Sequence, residues 1–127
     1  MSYARFEDHD GHYSRIKETD VEMCILGSFL TDDVRCGVND TSYQDWFYND
    51  TDEVGGGNAT NLEKDGDFIL LTDEYPVEKF AHIVVKMRRD QFIKLLNDWK
   101  EIVCKNRPQK VILRYENDEY TLEVIKA

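Results

Sequence analysis

An α+β fold, an antiparallel sheet backed by one long amphipathic helix and closed by a C-terminal β-hairpin, is predicted by three features of the second half of the chain. A β-branched apolar run comes first, a stretch of helical apolar periodicity follows, and two strand-length segments flank a tight-turn pair. Elements in that order, without regular βαβ alternation, pack as an antiparallel sheet with a helix on one face.

The apolar run is Phe80 to Met87 (FAHIVVKM), of strand length. Asp90 is placed to cap a helix, and from Phe92 the apolar residues fall at Phe92, Leu95, Leu96, Trp99, Ile102 and Val103, the offsets of one helical face. Lys94, Asp98, Lys100 and Glu101 lie off that stripe, so Trp99 is read as a core residue facing the sheet. Pro108 ends the helix before it. Val111 to Tyr115 and Tyr120 to Val124 flank Asn117-Asp118, residue types that tolerate the φ > 0 positions of a two-residue turn. That turn pairs Tyr115 with Tyr120, Leu113 with Leu122 and Val111 with Val124, all on one face by the period-2 rule.

Further upstream, Phe68 to Thr72 (FILLT) reads as a strand entered through a polar turn, Lys64-Asp65-Gly66-Asp67. Gly55-Gly56-Gly57 reads as a flexible loop. For residues 20–30 two readings stay open. Thr19 and Glu22 are spaced as a capping box, and Val21, Cys24, Ile25, Ser28 and Phe29 fall at helical spacing. Alternatively, Val21 to Leu30 is a buried strand bulged at Gly27. Met1 to Asp20 is polar and reads as a frayed terminus.

At 127 residues, with 41% hydrophobic and 12% aromatic residues, the chain suits a single domain, residues 1–127, around one core. The net charge of -10 repels nucleic acid and anionic membranes and speeds encounter with cationic surfaces. Neither a signal-peptide core nor a run near the roughly 18 apolar residues of a membrane span is present. Cys24, Cys36 and Cys104 are odd in number and lack a CxxC pattern, which predicts reduced thiols and a cytoplasmic protein. The N-x-T triplets at Asn39, Asn49 and Asn58 are read as turn chemistry.

Charge is unevenly laid out. Residues 1–39 hold 8 acids and 4 bases, residues 40–75 hold 10 acids and 1 base, and residues 76–127 hold 8 acids and 11 bases. In the acidic middle, Tyr43, Trp46, Phe47, Tyr48 and Tyr75 are interleaved with the acids. Solvating loops rarely carry so many rings, whereas interfaces use Tyr and Trp as anchors and charge for steering. The expected partner-binding residues are therefore Asp45, Tyr48, Asp50, Asp52, Glu53, Asp65, Asp67, Asp73, Glu74 and Tyr75. Trp46 and Phe47 are the rings whose alternative place is the core.

Catalytic patterns are weak. His9-Asp10-Gly11-His12 has metal-ligand types but needs further ligands from elsewhere, and His82 lies in an apolar run. Gly55 to Thr60 lacks the Gly-Lys-Ser/Thr ending of a phosphate loop. Asp32-Asp33, Asp65/Asp67 and Asp73-Glu74 give no sign of a carboxyl raised in a dry pocket. Ser28 and Ser42 lack a nucleophile-elbow context, and no cysteine has an identifiable histidine partner. The expectation is a protein without catalytic residues, metal or cofactor.

Taken together, the acidic aromatic middle, the DQFIKLLNDWKEI helix and the KVILRYENDEYTLEV hairpin resemble the small acidic immunity proteins of bacterial toxin–immunity pairs. The resemblance is of type, spans the last two thirds and carries over no individual residue. It implies an inhibitor that neutralises a cognate basic toxin domain, often a nuclease, with carboxylates meeting the toxin's Lys and Arg in place of substrate phosphates. The alternative is an adaptor, regulatory or nucleic-acid-mimic protein docking a basic host or phage partner.

Overall fold

The computed structural model describes residues 1–37, 42–49, 55–56, 59–76 and 81–126. It is α+β, but its strands form two antiparallel sheets rather than one. The chain opens with β1 (Ser2–His9) and β2 (His12–Glu18), a hairpin turned at Asp10-Gly11 with φ of 53° and 92°. Asp-Gly supports such a primed two-residue turn. The stretch expected to fray is thus ordered. Ala4 and Phe6 alternate inward into the core while Tyr3, Arg5 and Glu7 take the other face, which makes the segment polar in composition but two-sided in space.

The segment 20–30 is helical. α1 (Val21–Ser28) is capped by Asp20, whose carboxylate accepts the Met23 N–H at 3.0 Å. Thr19, expected to cap, is engaged instead with Tyr3: its hydroxyl accepts the Tyr3 N–H at 2.9 Å. For the Asp20 carboxyl, burial acts to raise the pKa. Hydrogen bonds from Ser2, Met23, Thr19 and Glu22 outweigh it and hold the group below the ordinary range. α1 runs on as a π-helical turn, Phe29–Val34. Asp33 in that turn is fully buried, and its two oxygens accept the Ala59 and Thr60 N–H groups at 2.8 and 2.9 Å. A carboxylate is tolerated there because charge-assisted bonds replace its water. One of the two neighbouring acids thus anchors the start of a strand.

α2 (Ser42–Tyr48) follows. β3 (Gly55–Gly56) pairs with Leu62 and Asn61 of β4 (Thr60–Asp65), so two of the three glycines expected in a flexible loop belong to a strand. β4 and β5 (Phe68–Asp73) pair through a turn at Gly66-Asp67, with Gly66 at φ 58°. β6 is Val85–Arg88, shorter than the run Phe80 to Met87. Phe80 lies outside the described residues, and His82, exposed at φ 67°, departs from extended backbone ahead of the strand.

β6 leads directly into α3 (Arg89–Asp98), extended by a π-helical turn, Trp99–Cys104. Asp90 stands inside the first turn, near the positive end of the helix dipole, and Arg88 takes the cap position. Phe92, Leu95, Leu96, Trp99 and Val103 are buried along the predicted stripe. β7 (Lys110–Glu116) and β8 (Glu119–Val124) pair Tyr115 with Tyr120, Leu113 with Leu122 and Val111 with Val124, around Asn117 and Asp118 at φ 53° and 63°.

The sheet orders are β2-β1-β7-β8 and β3-β4-β5-β6. α1 and α3 each touch strands of both sheets, and one apolar cluster joins all of them. Because β6 enters α3 from the second sheet and β7 leaves it for the first, the helix carries the chain between the two sheets. Among the described residues no helix is long and apolar enough to cross a membrane.

The thiol expectation is overturned. Cys36 and Cys104 form a disulfide with Cα atoms 5.2 Å apart, and Cys24 stands outside that bond. The bond ties the segment after α1 to the end of α3 across 68 residues. No local spacing rule reaches a pairing that only tertiary packing brings together.

Candidate partner-binding surface

α2 is built on an inward stripe. Tyr43, Trp46 and Phe47 fall at i, i+3 and i+4, the spacing of one helical face. Tyr43 is buried against Phe29, ring centroids 5.1 Å apart, and Trp46 and Phe47 pack on Phe92 at 6.1 and 5.8 Å. Burial, with the nearby Asp33 charge, pushes the Tyr43 hydroxyl up to about 12. Of the five rings interleaved with the acids, Tyr43 is thus core, and Trp46 and Phe47, partly buried, pack against the core. The helical spacing of these rings was the signal that could have placed them.

What α2 turns outward is Asp45 and Tyr48. Both are exposed, Tyr48 at 69%, and the Tyr48 ring rests edge-on against Phe47 at 5.0 Å. Lys64, the one base of residues 40–75, is folded inward: its ammonium lies 4.8 Å over the Trp46 ring and donates to the Asn49 carbonyl at 2.6 Å. The contact sets the end of α2, with Tyr48, beside the β4 end that carries Asp65. Asp65 and Asp67 flank Gly66 at the turn and are exposed. Arg89 reaches this turn, but its Nε donates to the Gly66 carbonyl at 2.7 Å, not to either carboxylate.

Asp73, Glu74 and Tyr75 lie elsewhere. They stand at the opposite end of β5, and a strand of this length spans roughly 17–20 Å. There the Asp73 carboxylate accepts the Tyr75 N–H at 2.9 Å, the Glu74 N–H donates to the Ala59 carbonyl at 2.8 Å, and Tyr75 is 77% exposed. The continuous acidic face expected from the sequence is therefore two patches, because β4 and β5 put the two acidic runs at opposite ends of one hairpin. Asp50, Asp52 and Glu53 lie outside the described residues.

Asp8, Glu18, Asp90, Asp98, Glu101 and Asp118 each lie within 4 Å of an arginine or lysine nitrogen. Asp45, Asp65, Asp67, Asp73 and Glu74 take part in none of these ion pairs. In the C-terminal unit Asp90, Asp98, Glu101 and Asp118 are paired with that unit's own bases, whereas the described carboxylates of the acidic middle are not ion-paired.

His9 and His12 face each other across the end of the first hairpin, both exposed, on either side of the Asp10-Gly11 turn. Among the described residues no three His, Cys, Asp or Glu side chains gather as a metal site. No family model matches the chain, and no curated protein or solved structure is similar to it.

Proposed function

We propose that this chain is a non-enzymatic binding protein, an immunity-type inhibitor that engages a basic toxin domain through the patch formed by Asp45, Tyr48, Asp65 and Asp67. One observation supports the reading: among the described residues the carboxylates of residues 40–75 enter no ion pair, whereas Asp8, Glu18, Asp90, Asp98, Glu101 and Asp118 are each held by an arginine or lysine. A carboxylate already held by an internal cation has little left to offer a partner. One left to solvent draws in a cationic surface and can take up its Lys and Arg as charge-assisted pairs. Exposed Tyr48 supplies the ring such a contact needs as an anchor. The Tyr75 patch offers a second, separate contact.

A nuclease domain is the favoured target class because its substrate groove displays cations spaced for phosphates. A cytoplasmic site of action rested on reduced thiols, and the Cys36–Cys104 bond fits an oxidising compartment better. The binding mode holds in either.

The test is the salt dependence of association with the partner recovered by affinity capture at low salt. The Debye length shrinks from about 30 Å at 0.01 M to about 8 Å at 0.15 M ionic strength, so the on-rate should fall steeply over that range. An on-rate that stays flat would remove electrostatic steering, and this reading with it.

A further inference from the structure

Where the end of α1 meets the end of α3, beside the disulfide, lies a cavity of about 110 Å³ walled by His12, Tyr13, Arg35, Cys36, Trp99 and Arg107. That is room for several waters or for one compact ligand, since a single water needs about 10–15 Å³ on this measure. Among the described residues, two buried nitrogens on residues of the wall have no hydrogen-bond partner: the Trp99 indole Nε1, on a residue only 1% exposed, and the Arg35 Nε. Indole and guanidinium N–H groups donate and never accept, so whatever satisfies them must bring acceptor atoms.

Charge narrows the choice. Arg107 is held in place: it lies 5.1 Å over the Tyr13 ring, 3.6 Å from the Asp8 carboxylate, and donates to the Gly11 carbonyl. Among the described residues Arg35 takes part in no ion pair. Two guanidinium-bearing residues therefore border one small cavity, and the Asp8 carboxylate lies beside one of them. Water would satisfy the donors but bring no negative charge to the two arginines, whereas an anion brings both acceptors and charge. Both arginines also adopt left-handed backbone, φ 53° at Arg35 and 51° at Arg107, a conformation that side-chain-bearing residues seldom take without a cause.

The geometry points to a binding site for a compact oxyanion, a carboxylate or phosphate group, held by Trp99 Nε1, Arg35 and Arg107. An oxyanion offers two or more acceptor oxygens on one centre, as two donors require, and the planar guanidinium fork matches them better than a point charge would. The site is separate from the acidic patch on α2, and either can stand without the other.

Nitrogen-15 spectra of the intact chain test this directly, because its 2 tryptophans give only two indole N–H signals. Inorganic phosphate, sulfate and acetate are titrated separately, with ionic strength held constant by sodium chloride. The Trp99 indole signal should shift and saturate with at least one of them while the Trp46 signal stays still. The anion that saturates at the lowest concentration assigns the site to the phosphate or the carboxylate class. Arg35→Gln should weaken that binding at least ten-fold, and Arg35→Lys, which keeps the charge but loses Nε and the fork, should fall between. If the Trp99 signal does not move, or both indole signals drift linearly and alike in every salt and in both variants, the cavity holds water only and the site is refuted.

Discussion

Replacing Cys36 and Cys104 together with serine should lower the unfolding free energy by about 4 kcal/mol, the loop-closure term for a bond spanning 68 residues. The effect acts mainly on the unfolded chain, which regains the freedom of a long loop. Native contacts of the core should change little. Denaturant unfolding of the wild type, oxidised and then reduced, against the double variant measures it. Reduced wild type and double variant should share one midpoint, well below that of the oxidised protein. Identical midpoints for the oxidised and reduced forms would show that the crosslink does not contribute.

Trp99→Ala should cost roughly 3–5 kcal/mol, the range for deleting a large buried ring. Trp99 is 1% exposed and meets Phe6 and Tyr13 edge-on, at centroid distances of 5.4 and 5.8 Å. It therefore joins the end of α3 to both strands of the first hairpin. Such edge-to-face contacts add to the area the ring buries. The second α3 ring, Phe92, works at the other end, stacked between Phe29 and Phe47 at 5.9 and 5.8 Å. A Trp99→Ala protein with a nearly unchanged unfolding midpoint would mean the ring is not core.

How far the sequence could be read depended on whether the signal was local. The C-terminal hairpin was legible to the residue: Asn117-Asp118 fixes the turn, and turn length fixes the register of every pair behind it. The α3 stripe was legible because six apolar positions keep one period. The first hairpin was hidden although it turns on Asp10-Gly11, a strong turn signal. The polar outer face of β1 and the flanking histidines give the segment a polar composition that masks its alternation. Division into two sheets was not legible, because nothing local says which strands share an edge. Cys36–Cys104 and the Asp33 anchor depend on segments far apart in sequence.

The acidic surface was legible in part. Its charge and its exposed rings Tyr48 and Tyr75 follow from composition. Its division into two patches follows from the β4–β5 pairing, and the inward turn of Tyr43, Trp46 and Phe47 from a helical spacing that a search for clustered rings overlooks. Lys64 illustrates the limit. Its presence in the middle segment was visible, but the seating of its ammonium against Trp46 and Asn49 required the fold.

The central claim, that the Tyr48 patch binds a basic partner, is tested most directly by association and dissociation rates of two variants against the captured partner. Asp45, Asp65 and Asp67 changed together to Lys should slow association several-fold or more, with a stability change of about half a kcal/mol or less per site. Tyr48→Ala should instead speed dissociation and cost about 2 kcal/mol of binding, as the loss of an anchor does. Should both variants bind with wild-type rates, the patch is a solvated face, and the binding surface must be sought on the basic C-terminal unit around Arg88, Arg89, Lys94 and Lys100.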